Sequence, residues 1–166
     1  FDINATTGAI TFKSSPNYEA PGDAGGNNVY DITVGASDGT VTTTKDVAIS
    51  VTNVNEGPVF TSATTASFAE TASGAAYTAA ATDPDAGAVL TYSISGADAA
   101  LFDIDPATGA VTFKSAPNYE APGDAGGNNV YDVNVTVSDG TNTATQAVAI
   151  SVTDTDEAPI FTSGTA

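Results

Sequence analysis

The sequence predicts an all-β protein made of tandem repeats of about 101 residues, each folded as a two-sheet β-sandwich. The first observation is a repeat, because residues 16–31 recur letter for letter at residues 117–132. The second is an alternation of apolar and polar residues in short segments rich in Val, Ile, Thr and Phe, which is typical of strands. The third is the spacing of Gly, Pro, Asn and Asp clusters, which leaves room for about seven short strands per repeat and almost no helix.

The repeat offset predicts three pieces of chain. Residues 1–57 are the C-terminal part of one repeat, residues 58–158 a complete repeat, and residues 159–166 the start of the next. The linkers are polar, run over residues 53–58 and 154–159, and each closes on a proline. Proline has a fixed φ and no amide hydrogen, so each linker is expected to stop the preceding strand.

Each segment with period-two alternation predicts a strand. Two short strands are expected within residues 1–14, and residues 29–37 and 42–52 form a hairpin around Asp38-Gly39. In the complete repeat, strands are expected near residues 66–70, 77–82, 89–95, 102–105, 110–114, 130–138 and 143–153, with a helical turn at 97–101. The expected core is Phe68, Tyr77, Leu90, Tyr92, Ile94, Leu101, Phe102, Ile104, Val111, Phe113, Val133, Val135, Val137, Val148, Ile150 and Val152.

The composition excludes several classes of function. Acidic residues outnumber basic ones 20 to 3, for a formal net charge of −17, so neither nucleic acid nor an anionic membrane surface is an expected partner. No apolar run is long enough to cross a membrane. Without His or Cys, no nucleophile–base pair can be assembled, and we predict that the protein is not an enzyme.

The acidity has two interpretations. One is solubility through charge repulsion, which needs no site. The other is binding of hard cations, which predicts that acids gather at strand ends and linkers. They do so at Glu19, Glu56, Asp83, Asp85 and Asp139, and Asn53 and Asn55 lie in the first linker. A set of oxygen ligands with no nitrogen or sulfur favours Ca²⁺.

These motifs resemble those of cadherin repeats. Asp83-Pro84-Asp85 resembles the Asp-x-Asp element of that family, and the linker that begins at Asp154 resembles its inter-domain linker. Glu120 occupies the position of the family's Asp-Arg-Glu acid. The long Gly/Asn loop and the Ala/Thr-rich composition are similar to the cadherin-like repeats of large bacterial surface adhesins. The resemblance implies a cadherin/immunoglobulin-like Greek-key sandwich.

The resemblance also implies calcium ligands at two joints between repeats. The first joint would use Asn17, Glu19, Asn53, Asn55, Glu56, Asp83, Asp85 and Asp139. The second would use Glu70, Asn118, Glu120, Asp154, Asp156 and Glu157, together with acids of a further repeat. The second linker has Asp where the first has Asn, so we expect the second type to bind Ca²⁺ more tightly.

The function implied is a structural extender repeat, stiffened by calcium, in a secreted or surface-anchored adhesin that supports cell adhesion at the cell surface. Its partners would be the neighbouring repeats of the same chain, and like domains of another molecule are a further candidate partner. An alternative is direct recognition of carbohydrate or of a like domain, with Tyr18, Tyr119, Tyr30 and Tyr131 as candidate contacts. The loop at residues 124–129 faintly resembles a calcium loop, but a plain flexible connection is the favoured interpretation there.

Overall fold

A computed structural model describes residues 1–159 of the chain and shows an almost entirely β protein, which confirms the predicted fold class. The chain divides into two compact units, residues 1–55 and a second unit that begins at Glu56. In the first unit, β1 (Asp2–Ile3) pairs antiparallel with β2 (Ile10–Thr11). The hairpin of β3 (Val29–Ser37) and β4 (Thr42–Ser50) forms the other sheet of that unit.

The second unit contains nine strands and a 3₁₀ turn among its described residues. They are β5 (Val59–Phe60), β6 (Thr65–Ala69), β7 (Tyr77–Thr78), β8 (Ala81–Thr82), β9 (Thr91–Ser95), the turn Ala99–Leu101, β10 (Phe102–Ile104), β11 (Ala110–Phe113), β12 (Val130–Ser138) and β13 (Thr143–Thr153). One sheet has the order β6-β13-β12-β9, with β6 parallel to β13. Another has the order β10-β11-β7, and β5 pairs with β8.

The core lies between the four-stranded and three-stranded sheets. Along β12, Tyr131, Val133, Val135 and Val137 are buried and the residues between them are more exposed, as the period of a strand requires. The Phe113 ring of β11 contacts Phe68 of the other sheet, with ring centroids 5.4 Å apart. Valine, alanine and aromatic side chains, together with Ile150, make up this core. Many of these side chains are small, so each buries little apolar area.

Most of the predicted core is confirmed, and one member is wrong. Leu101 is 36% exposed, whereas the adjacent Phe102 is 2% exposed. Leu101 ends the 3₁₀ turn and Phe102 begins β10, so the alternation starts at Phe102 and leaves its neighbour outside. Leu90, Ile94, Ile104 and Phe113 pack against the core while partly buried. The sequence prediction also missed Ala76, Ala79 and Tyr131, which are buried.

The single strand expected at residues 77–82 is interrupted, and β5 was not expected. Ala79 N donates to Gly109 O at 2.9 Å, which ties the interruption to the turn before β11. A side chain at Gly109 would place a Cβ 2.5 Å from the carbonyl oxygen of Ala79, and its φ is +70°. Glycine is therefore required where these two segments meet.

The first unit repeats the local packing of the second. Phe1, Phe12 and Tyr30 form a ring cluster with centroid separations of 4.5, 5.7 and 5.1 Å. The corresponding rings of the second unit, Phe102, Phe113 and Tyr131, are 4.3, 5.8 and 5.0 Å apart. The sequence repeat is therefore matched by a repeat of side-chain geometry.

Phe102 and Leu101 provide a test of where the core begins. Phe102→Ala should lower the free energy of unfolding of the second unit by about 3–5 kcal/mol, because it empties a filled site. Leu101→Ala should cost clearly less, since the Leu101 side chain is already partly in water. Urea denaturation of both variants measures the difference, and equal losses would contradict this assignment.

Candidate metal centre

The repeated loop before β12 is held by bonds to its own backbone. Asp124 is 7% exposed, and its two carboxylate oxygens accept the amides of Asn128 and Asn129 at 3.0 and 2.9 Å. Asn129 adopts a φ of +62° and donates from its side chain to Tyr119 O at 2.8 Å. The hydroxyl of Tyr131 accepts Gly123 N at 3.2 Å. The loop thereby folds back onto residue 119, beside Glu120.

A buried carboxylate at the end of β6 joins this loop to the second linker. Glu70 is 6% exposed and accepts Tyr119 N at 2.7 Å and Thr155 N at 2.9 Å, one through each side-chain oxygen. Its own amide donates to Thr153 O at 3.2 Å. Three segments distant in sequence therefore converge on one side chain.

Four carboxylates meet at this point. Glu70, Glu120, Asp154 and Glu157 each place an oxygen within 4.8 Å of the others. Glu70 is buried, and the other three are exposed, so the group is open to solvent on one side. A set of hard oxygen donors from three segments fits a calcium ion, which takes 6–8 oxygens, and leaves room for further ligands.

The carboxylates perturb one another. Bonds from the Tyr119 and Thr155 amides lower the pKa of Glu70. Although Glu157 is exposed as a residue, partial desolvation of its carboxyl group raises its pKa, and the nearby charges of Glu70 and Glu120 raise this pKa further. A site that keeps one acid ionised and penalises the charge of its neighbour favours a bound cation, which relieves the repulsion.

Two ligands predicted for the second joint lie outside this group. Asp156 is exposed and is not among the four gathered carboxylates. Asn118 uses its side-chain oxygen to accept Ala121 N at 2.9 Å, which shapes the start of the loop. Their roles as ligands stay predictions.

The other end of the second unit gathers the acids that the sequence assigned to the first joint. Asp85 accepts Glu56 N at 2.9 Å and its own amide donates to Asp83 at 2.9 Å. Asp139 accepts the amide of Asn142, whose side chain donates to Glu56 O at 3.1 Å. The second carboxylate oxygen of Asp83 is buried without a hydrogen-bond partner. A buried orphan acceptor needs an explanation, and a cation is one that fits its charge.

The remaining residues predicted for the first joint belong to the first unit. Asn17 accepts Glu19 N at 2.8 Å and Ala20 N at 3.1 Å, which turns the chain at Glu19. Glu19, Asn53 and Asn55 are exposed. Their participation in a cation site stays a prediction.

The tyrosines proposed for direct recognition divide into two groups. Tyr18 and Tyr119 are 40% and 39% exposed, whereas Tyr131 is only 2% exposed. For Tyr131 the prediction of a surface contact is therefore wrong, because its ring fills the core and its hydroxyl holds the loop. Tyr30 packs in the same way against Phe1 and Phe12.

Two side chains that the sequence did not single out support these regions. Asn142 holds the carbonyl of Glu56, and Asp98 accepts the amides of Ala125 and Asp132, both at 2.7 Å. Neither Asn142 nor Asp98 belongs to a sequence motif with a characteristic spacing, so the sequence alone did not indicate their roles. The only local signal at Asp98 is its place before a helical turn, where an acid normally caps the turn.

The protein resembles cadherin domains of known structure. Human protocadherin-24 EC1-2 (form II) is 28% identical, with 60% of this chain and 46% of that chain covered and a TM-score of 0.51. Protocadherin gamma B7 extracellular cadherin domains 1-4 are 25% identical over 77% of this chain and 32% of that one, with a TM-score of 0.59. Mouse cadherin-23 EC22-24 is 24% identical over 92% of this chain and 49% of that one, with a TM-score of 0.61.

These structures show that the chain has a cadherin-like fold, and it spans less than half of the length of the first of them. No family model and no curated protein sequence matches. Among the described residues, no helix is long and apolar enough to cross a membrane.

The loop carboxylate should make stability depend on pH. Burial raises the pKa of Asp124, but backbone hydrogen bonds, led by those from the amides of Asn128 and Asn129, together lower it, so the pKa lies below the ordinary value of 3.8. A carboxyl group whose pKa is lowered by folding stabilises the protein at pH values above its unfolded-state pKa. This stabilisation is lost as the pH falls through its folded-state pKa. Asp124→Asn should therefore lower the urea midpoint at neutral pH, with a difference that shrinks in acid.

Asp23→Asn is the parallel variant in the first unit, because the amides of Asn27 and Asn28 also lower the pKa of Asp23, and its effect should likewise shrink in acid. Urea titrations at neutral pH and below 3.8 compare the variants. A loss from Asp124→Asn that is independent of pH would contradict the role assigned to its charge.

Proposed function

We propose that this chain is a structural extender of a secreted or surface-anchored adhesin, built from cadherin-like repeats that calcium stiffens at the joints. The observation that carries the proposal is the group of Glu70, Glu120, Asp154 and Glu157, with oxygens within 4.8 Å of one another. The likeness to domains whose structures are described as extracellular cadherin domains supports an extracellular, non-enzymatic role in adhesion.

The second unit has no basic side chain of its own suited to neutralising this group. Lys114 is the single Lys or Arg from residue 56 onward, and its ammonium group lies 3.8 Å from Asp103 and 3.0 Å from Ala100 O. Four carboxylates without a side-chain cation repel one another. A divalent cation relieves that repulsion and joins the loop, the end of β6 and the linker.

The same reasoning extends to the first joint. The orphan oxygen of Asp83, and the bonds that join Glu56 to Asp85 and Asn142, support a cation there. With the ions bound, linker residues and residues of the folded units coordinate the same ions, and the array becomes a stiff rod. Without them, like charges in the linker favour flexing.

Small-angle scattering tests this function directly. The maximum dimension of the whole chain should be larger and better defined in calcium than in chelator. Asp85→Asn removes one predicted ligand and should reduce the change. Asp105→Asn removes the same charge from a turn between β10 and β11 and should leave it intact. Identical profiles of the wild type with and without calcium would contradict the proposal.

Glu157→Gln should change stability in opposite directions in the two states. Without calcium it should raise the melting temperature at neutral pH, because the pKa of Glu157 is raised and its charge opposes folding. With calcium at a hundred times its dissociation constant, the wild type should gain about 2.7 kcal/mol, and the variant should gain less. Thermal unfolding in chelator and in calcium measures both effects.

Asp105→Asn is the comparison variant for this test. It removes an equal charge from the turn between β10 and β11, where the carboxylate accepts the amides of Ala107 and Thr108 and is not part of the gathered group. It should leave most of the calcium-dependent gain in place. If Glu157→Gln destabilised the chelated protein, or if both variants lost the gain equally, the assignment of the group would be wrong.

A further inference from the structure

We propose that Asp98 is a positioning residue for the calcium site, acting through the repeated loop to place Glu120 without touching the ion. This inference rests on the proposed function and concerns a residue outside the four gathered carboxylates. Asp98 is 3% exposed, which makes it one of the most deeply buried acids of the chain. A buried carboxylate is costly unless its oxygens are hydrogen-bonded.

The bonds of Asp98 reach both ends of one loop segment. One carboxylate oxygen accepts Ala125 N and the other accepts Asp132 N, each at 2.7 Å. The backbone adds a third link, because Asp98 N donates to Asp132 O at 3.2 Å. Asp98 precedes the 3₁₀ turn, yet its side chain does not cap that turn. The carboxylate is used instead to fasten the loop to β12.

A path made of hydrogen bonds and adjoining residues leads from Asp98 to the cation site. Ala125 follows Asp124, whose carboxylate holds Asn129 N, and the Asn129 side chain holds Tyr119 O. Tyr119 N donates to Glu70, and the next residue is Glu120. Freeing Ala125 therefore loosens the support of two of the four carboxylates. Outer supports of this kind typically change metal affinity by about 10- to 100-fold.

The first unit offers an internal comparison. Its copy of the loop has the same sequence and keeps the bonds from Asn27 and Asn28 to Asp23 and from Asn28 to Tyr18 O. Within residues 1–55, the hydrogen bonds of this copy do not include one at Ala24, the counterpart of Ala125. With the repeat offset, the position equivalent to Asp98 falls before Phe1, so the first unit shows the bonds that the loop makes on its own without that link.

Asp98→Asn tests the role, because asparagine has nearly the same shape as aspartate. Its side-chain NH₂ group is a donor, so it cannot accept one of the two backbone amides that Asp98 accepts. The wild type, Asp98→Asn and Asp105→Asn are each prepared as the full chain. Asp105 is the matched control, since its carboxylate also accepts two backbone amides, those of Ala107 and Thr108. It precedes β11, whereas Glu120 follows that strand.

Calcium titration is followed by NMR at the amides of Tyr119 and Thr155, which report on this site alone. Asp98→Asn should raise the dissociation constant for calcium about tenfold, and Asp105→Asn should leave it unchanged. Urea midpoints measured in chelator distinguish a purely structural role of Asp98 from a positioning role. If the role were purely structural, Asp98→Asn would lower the urea midpoint and leave the calcium affinity unchanged. Equal affinities of the two variants would overturn the inference and leave the proposed function standing. Absence of binding by the wild type would overturn both.

Hydrogen exchange in the metal-free wild type keeps the inference testable if Asp98→Asn fails to fold. Ala125 and Ala24 have identical neighbours, so their intrinsic exchange rates are the same. The Ala125 amide should exchange more slowly, because its acceptor is buried. Equal protection of the two amides would overturn the inference.

Discussion

One buried carboxylate, Glu70, determines how the end of the second unit is built. It accepts the amide of Tyr119 from the repeated loop and the amide of Thr155 from the linker, so neither segment is placed independently of it. Hydrogen bonds to the ionised form lower the pKa of Glu70 and keep it charged at the edge of the core. That fixed charge stands within 4.8 Å of carboxylate oxygens of Glu120, Asp154 and Glu157.

The core beneath this site is lean, and the charge around it is uncompensated. Valine and alanine provide most of the buried side chains beside a small aromatic cluster. Both ion pairs found in the described part of the chain, Lys13–Asp2 and Lys114–Asp103, are exposed and contribute little to stability. Folding in this chain therefore places acids together without a Lys or Arg side chain among them.

The sequence predicted the strands and the gathered acids better than the supports behind them. Alternation located β12 and β13 because one face of β12 and of the C-terminal half of β13 is buried, and the linker motif located Asp154 and Glu157. Asp98 was not predicted, since its partners lie 27 and 34 residues away and no local pattern encodes them. Leu101 was misplaced because a 3₁₀ turn interrupts the alternation, and only the three-dimensional structure shows where it resumes.

The two copies of the loop show which part of its structure is local. Asp23 and Asp124 accept the equivalent amides that follow them. Asn28 and Asn129 share a φ of +62° and donate to the equivalent carbonyls of Tyr18 and Tyr119. Identical sequences thus give identical turns in two units, so the loop conformation is encoded within the repeat itself. A loop of this kind can deliver an acid to the same place in every repeat. Its attachment to the sandwich, through Glu70 and Asp98, then decides how firmly that acid is held.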